Sequence, residues 1–147
     1  MAIGQQVDTD LKAALKARDK AKTSCLRLIK TAFNSAAKEL KRELDQDEEI
    51  KILGTLAKQR RDSIEQFTKG GRQDLADQEK AELAWIELYL PAQLDESGIN
   101  AVLDEVFAQV QPQGVKDMGQ VMKAVMVRLQ GQADGKLVNQ LVRQRLQ

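Results

Sequence analysis

Apolar residues recur at steps of three and four along almost the whole chain, as in Leu26, Ile29, Phe33, Leu40 and Leu44. This spacing places apolar side chains on one face of an α-helix, and no segment alternates apolar and polar residues long enough to form a strand. The composition agrees, because the helix formers Ala, Leu, Lys, Gln, Glu and Arg dominate and aromatic residues make up only 3% of the chain. The sequence therefore predicts an all-α protein.

A break in this pattern lies at residues 90–94, where Pro91 closes the fourth predicted helix. Charge density falls after it, since 33 of the first 90 residues are charged but only 12 of the last 57. We therefore expect two helical subdomains, with about four helices in residues 1–92 and three helices in residues 93–147. The first helix is expected to end near Asp19. Side-chain N-caps are predicted for helices three, four, six and seven at Asp47, Asp74, Asp117 and Asp134.

Several kinds of active site are excluded by composition. The chain has no histidine and one cysteine, Cys25, which removes Ser-His-Asp and Cys-His triads, the usual zinc sites and intrachain disulfides. The carboxylates cluster at predicted helix starts and on helical faces, where capping explains them better than acid–base chemistry. A structural role is favoured for Cys25, and packing is favoured over base stacking for Trp85 and Tyr89. No catalytic residue, metal site or cofactor is predicted.

The cellular compartment is expected from the same elimination. No apolar run exceeds four residues, so neither a membrane span nor a secretory leader is expected. A lone thiol suits a reducing environment, and we expect a cytoplasmic protein that does not associate with membranes.

The charge is segregated along the chain although the net charge is only +1. Residues 12–42 hold ten Lys or Arg against two Asp or Glu, residues 45–90 hold seven against eleven, and residues 106–147 hold six against two. Two basic regions around an acidic middle can pair internally, or they can offer basic surfaces to a polyanion such as a nucleic acid. Solvated helix faces are the simpler interpretation.

Two turns near the C-terminus carry the most distinctive local pattern, Lys116 with Asp117 and Asp134 with Lys136. Each turn precedes a predicted helix, and the N–H groups of a helix N-terminus favour phosphate. The aspartates compete for those same N–H groups, so two structural helix caps are favoured over a phosphate site.

The chain resembles the YqeY-like family over nearly its whole length. The segments that carry this resemblance are residues 11–20, 58–67, 71–75, 87–94, 116–119 and 133–139. The family is related to the C-terminal tail of the GatB component of the glutamine-dependent Asp-/Glu-tRNA amidotransferase. The resemblance implies a helical N-terminal domain followed by a three-helix GatB-tail-like domain.

The resemblance also implies a link to tRNA. In the amidotransferase the tail reaches the tRNA body, while amide transfer takes place in modules that this chain lacks, so carbon–nitrogen ligase activity with glutamine as amide donor is implied by association only. The expected function is non-catalytic tRNA binding or association with a tRNA amidotransferase. The alternative is docking onto another tRNA-handling enzyme without RNA contact. The candidate RNA-binding residues are Lys116, Lys123, Lys136 and Arg143, with Arg145 nearby on a different helix face, and the basic stretch 12–42 is the alternative surface.

Overall fold

The computed structural model describes residues 2–147, which contain seven α-helices, one 3₁₀-turn and no strand. The all-α prediction is confirmed. The elements are α1 (Ile3–Lys16), α2 (Lys20–Leu40), α3 (Gln46–Lys69), α4 (Gln73–Glu87), α5 (Glu96–Val110), the 3₁₀-turn (Val115–Asp117), α6 (Met118–Leu129) and α7 (Gly135–Leu146).

The part of the chain up to Leu90 forms one compact unit, here called the first unit. Each of its four helices contributes a stripe of apolar side chains to a shared core, and the removal of this apolar surface from water stabilises the packing. The fully buried side chains at its centre include Val7, Leu26, Leu53 and Ile86, one from each helix.

Residues Pro91–Gln147 form the second unit, built from α5, α6 and α7. Its core is almost entirely aliphatic, with Ile99 and Leu103 from α5 packed among Val125 of α6 and Val138 and Val142 of α7. These five side chains are fully buried.

Residues 91–94 are attached to the second unit by hydrogen bonds. The backbone N–H of Leu94 donates to the carbonyl of Gln132 at 2.7 Å, and the side-chain amide of Gln93 donates to the carbonyl of Gly131 at 2.7 Å. The turn between α6 and α7 therefore holds this segment, and the two compact units meet in sequence between Leu90 and Pro91. That the units fold independently stays a prediction.

The N-terminus of α1 has no side-chain cap within its own helix. The carboxylate of Glu49, a residue of α3, accepts a hydrogen bond from the backbone N–H of Gly4 at 2.8 Å. Glu49 is only 6% exposed, so its charge lies where the dipole of α1 favours an anion. A Cβ at position 4 would lie 3.2 Å from this carboxylate, which explains the glycine there.

Two helices end earlier than their apolar spacing predicts. The first ends at Lys16 rather than near Asp19, because Arg18 adopts a left-handed φ of 56° and Asp19 instead caps α2 by accepting from Lys22 N. The second ends at Leu40, where Lys41 has a φ of 58°, so Leu44 lies in a loop.

Two predicted N-caps are wrong. The N-cap of α3 is Asp45 instead of Asp47, because Asp45 and Glu48 form a reciprocal capping box with bonds of 2.8 and 3.0 Å. Arg72 occupies the N-cap position of α4, where no side-chain cap forms. Asp74 lies in the first turn instead and pairs with the Arg72 guanidinium at 3.1 Å.

Replacement of Leu103 by Ala is expected to destabilise the second unit by about 2–5 kcal/mol, because it opens a cavity among fully buried side chains. The first unit should keep its stability. Trp85, the single tryptophan, lies in α4 and reports only the first unit, whereas far-UV circular dichroism reports both units. Leu53→Ala is the matched control for the first unit. A fall in the Trp85 fluorescence midpoint of the Leu103 variant would show that the chain unfolds as one cooperative body.

Candidate functional site

The second unit separates its charges between helices. Helix α5 and its cap, residues 95–110, carry four carboxylates and no cation, while residues 118–147 carry five cations and one carboxylate. Two ion pairs connect the oppositely charged helices, from Arg145 to Asp104 at 2.7 Å and from Arg128 to Glu105. These pairs neutralise carboxylates of α5 and leave the other cations of α6 and α7 on the surface.

Arg145 is committed to contacts inside the second unit. Besides its ion pair with Asp104, its guanidinium lies 5.5 Å from the centre of the Phe107 ring and donates to the carbonyl of Asn100 at 3.1 Å. Its side chain therefore braces α7 against α5, and we remove Arg145 from the candidate RNA contacts.

The other candidate residues, here called the C-terminal cations, all have exposed side chains: Lys116, Lys123, Lys136 and Arg143. At 100° per residue, Lys123 lies on the face of α6 opposite to Val121 and Val125, which are buried. Lys136 and Arg143 are seven residues apart and share the solvent face of α7.

The two distinctive turns lie at opposite ends of α6. Lys116 is in the 3₁₀-turn directly before this helix, and Lys136 begins α7 after the helix has ended. The start of α7 lies beside the last turns of α6, because a Cβ at Gly135 would be 3.8 Å from the Met126 methyl group. A helix of 12 residues is about 18 Å long, so the two turns cannot hold one phosphate between them. They are suited to separate phosphates of an extended ligand.

The two aspartates of these turns differ in role. Asp134 caps α7 by accepting a hydrogen bond from Lys136 N at 3.2 Å. Asp117 does not cap α6, contrary to our expectation. The 3₁₀-turn continues directly into α6, so Asp117 lacks the extended backbone of an N-cap, and its carboxylate accepts instead from Gln113 N at 2.7 Å.

A partly buried charge cluster in the first unit was not foreseen from the sequence. Arg60, whose side chain is 12% exposed, lies 3.0 Å from the Glu82 carboxylate and 3.6 Å from that of Glu79. Burial first, and then the negative charge of Glu82, raise the pKa of Glu79. The helical spacing alone placed both glutamates on an exposed face. Among the described residues, no group of His, Cys, Asp and Glu side chains is arranged to hold a metal ion.

Cys25 lies beside this cluster, fully buried, with its sulfur 3.8 Å from the Glu82 carbonyl oxygen. Burial, followed by the charge of Glu82, raises the pKa of its thiol to about 11. Because the thiolate is the nucleophilic form, this environment fits a structural thiol. Trp85 and Tyr89 pack against the same core, and the Tyr89 hydroxyl donates to Asp10.

Comparison with known proteins identifies the family. A family model described as "Yqey-like protein" matches residues 4–146. The chain belongs to the YqeY family. This confirms the family expected from the sequence segments named above.

Two kinds of curated relatives match parts of this YqeY chain. The first is "Altered inheritance of mitochondria protein 41, mitochondrial" of Eremothecium gossypii, 37% identical over 84 residues, which are 56% of the chain and 46% of the relative. The second is a glutamyl-tRNA(Gln) amidotransferase subunit of Thermococcus sibiricus, 40% identical over 58 residues, which are 37% of the chain and 9% of that relative. The chain thus covers less than half the length of either relative.

Membrane insertion was also considered for this YqeY protein. Between residues 2 and 147, no helix is both long and apolar enough to cross a bilayer. The cytoplasmic location stays a prediction.

Replacement of Asp134 by Ala is expected to lower the free energy of unfolding of the second unit by about 1 kcal/mol, because the first turn of α7 loses its cap. Asp134→Ser, which retains a capping oxygen, should recover most of this loss. Urea unfolding followed by circular dichroism measures both effects. Equal stability of the Ala variant and the unmodified protein would contradict the capping role.

The Cys25 thiol is expected to react very slowly with an aromatic disulfide reagent at about pH 8, where a thiol of pKa about 11 is only about one part in a thousand thiolate. Reactivity should rise as pH increases toward that pKa, and it should become fast in urea. Absorbance of the released thiol measures the rate. Reaction of the folded protein as fast as a free thiol would overturn the structural role.

Proposed function

We propose that this YqeY-family protein binds tRNA without itself catalysing a reaction, and that the C-terminal cations contact the tRNA phosphate backbone. The observation that carries the proposal is the charge separation in the second unit, where α5 uses Arg128 and Arg145 for ion pairs and the C-terminal cations remain exposed. The relation to a glutamyl-tRNA(Gln) amidotransferase subunit supports tRNA as the ligand.

The form of the contact follows from the caps. Asp134 already occupies an N–H group at the start of α7, so the proposed phosphate contacts are made by the side chains of lysine and arginine. Because Lys116 and Lys136 are separated by the length of α6, they meet different phosphates. Contacts of this kind position a protein on RNA shape and carry little sequence information.

The second candidate function is docking onto an amidotransferase or another tRNA-handling enzyme without RNA contact. The observation that favours it is the exposure of Val115 and Val127, which are 52% and 62% exposed and bracket α6. A protein interface with exposed aliphatic side chains at its centre depends on salt less than a phosphate contact does.

Simultaneous replacement of Lys116, Lys136 and Arg143 by Ala is expected to weaken tRNA binding and to flatten the plot of log affinity against log salt. Three lost phosphate contacts at ~0.7 each correspond to about two units of slope. Fluorescence anisotropy of a labelled tRNA between about 50 and 200 mM salt measures this slope. The matched control replaces Lys51, Lys58 and Lys80 in the first unit, which removes the same charge from exposed positions.

Each outcome separates the candidates. An equal loss of slope in the control variant would mean that only net charge matters. An unchanged slope in the first variant would move the RNA contact away from the C-terminal cations. If the unmodified chain binds no tRNA even at low salt, docking onto a protein is the better account.

A further inference from the structure

Helices α1 and α2 carry an excess of positive charge that the first unit does not neutralise. Residues 3–42 hold ten Lys or Arg and four Asp or Glu. Lys30 pairs with Asp8 at 3.0 Å and Arg42 pairs with Glu48 at 2.7 Å. Within residues 2–147 the other eight have no carboxylate partner: Lys12, Lys16, Arg18, Lys20, Lys22, Arg27, Lys38 and Lys41.

The carboxylates of these two helices have other roles. Asp19 caps α2, and Asp10 accepts hydrogen bonds from Tyr89 and Gln6. With Asp8 paired to Lys30, only Glu39, near the C-terminal end of α2, is left without a bonding partner in the described chain.

Five of the unpaired cations line up on the solvent side. On α2 they follow helical steps of three and four together with two hydroxyl groups, through the exposed residues Lys20, Ser24, Arg27, Thr31 and Lys38. On α1, Lys12 and Lys16 are one turn apart and also exposed. We call Lys12, Lys16, Lys20, Arg27 and Lys38 the α1–α2 basic surface.

The two rows lie side by side. The Asp8–Lys30 ion pair marks the seam between the helices, which pack together on either side of a short turn. Lys12 on α1 and Arg27 on α2 are each rotated outward from that seam, away from the buried residues of their helices, and each lies about one turn closer to the connecting turn. The rows therefore form one surface, which extends about 27 Å along α2 from Lys20 to Lys38.

We infer that the α1–α2 basic surface binds the phosphate backbone of double-helical RNA. Lysine and arginine supply the charge, and the Ser24 and Thr31 hydroxyls can donate to phosphate oxygens or bond to ribose 2′-hydroxyls. Phe33, the one aromatic residue of α1 and α2, is only 7% exposed, so the surface has no platform for stacking unpaired bases. This favours a helical stem over single-stranded RNA.

This surface belongs to the first unit and uses none of the C-terminal cations. It takes the same class of ligand as the proposed function, but either surface can be present without the other. If one RNA occupies both, the second contact becomes intramolecular and strengthens binding without any new interaction.

The test uses the full chain with Lys12, Lys20, Arg27 and Lys38 replaced together by Gln. The probe is a fluorescein-labelled RNA duplex of about 16 base pairs without loops, the length that double-stranded RNA-binding domains span. The variant is expected to flatten the salt dependence of log affinity by up to about three and a half units, taking ~0.9 for each duplex phosphate contact. The control replaces Lys51, Lys58, Lys69 and Lys80 by Gln, which removes the same charge from α3 and α4.

A second variant, with Lys12, Lys20 and Lys38 replaced by Arg, retains the charge and should bind the duplex as the unmodified protein does. Equal binding by the Gln variant and the unmodified protein would overturn the inference, as would an equal loss in the control. Binding to vesicles of phosphatidylserine and phosphatidylcholine that the Gln variant loses, without binding to the duplex, would assign the surface to membranes instead. Loss of duplex binding in the Lys116/Lys136/Arg143 variant alone would sustain the proposed function and overturn this inference. The reverse result would do the opposite.

Discussion

The distribution of carboxylates decides where positive charge remains on this protein. In the first unit, glutamates of α4 bind Arg60 and Arg61 of α3 within the acidic pair of helices. In the second unit, carboxylates of α5 bind Arg128 and Arg145. Other aspartates cap helices. Because the carboxylates are engaged in this way, the excess cations of α1–α2 and of α6–α7 face solvent, and a near-neutral chain presents two basic surfaces.

Much of the fold could be predicted from the sequence, because one apolar stripe per helix is a local signal. Boundaries were less accurate where two aspartates competed for one helix start. Asp45 rather than Asp47 caps α3 because only Asp45 has a glutamate three residues later, a signal that the sequence does contain. Asp117 was misassigned because the 3₁₀-turn before α6 has no comparable pattern in the sequence.

The candidate site depends more on contacts that are distant in sequence. Arg145 binds Asp104, 41 residues away, and its removal from the RNA contacts could not be read from the spacing within α7. Glu79 was placed on an exposed face because helical periodicity does not reveal that Arg60 and Glu82 enclose it. The exposure of Lys136 and Arg143 on one face, in contrast, follows from their separation of seven residues. The sequence thus identified the charges, and the structure divided them into internal ion pairs and surface groups.

Membership of the YqeY family and the relation to an amidotransferase subunit make tRNA the natural ligand to test, and the most direct test measures each lysine separately. The protein would be treated with an amine-modifying reagent with and without tRNA, and the modified peptides quantified by mass spectrometry. The account predicts protection at surface lysines that include Lys12, Lys20, Lys116 and Lys136, and little protection at Lys51, Lys58, Lys69 and Lys80 of α3 and α4. Equal protection of all these lysines, or protection confined to α3 and α4, would contradict it.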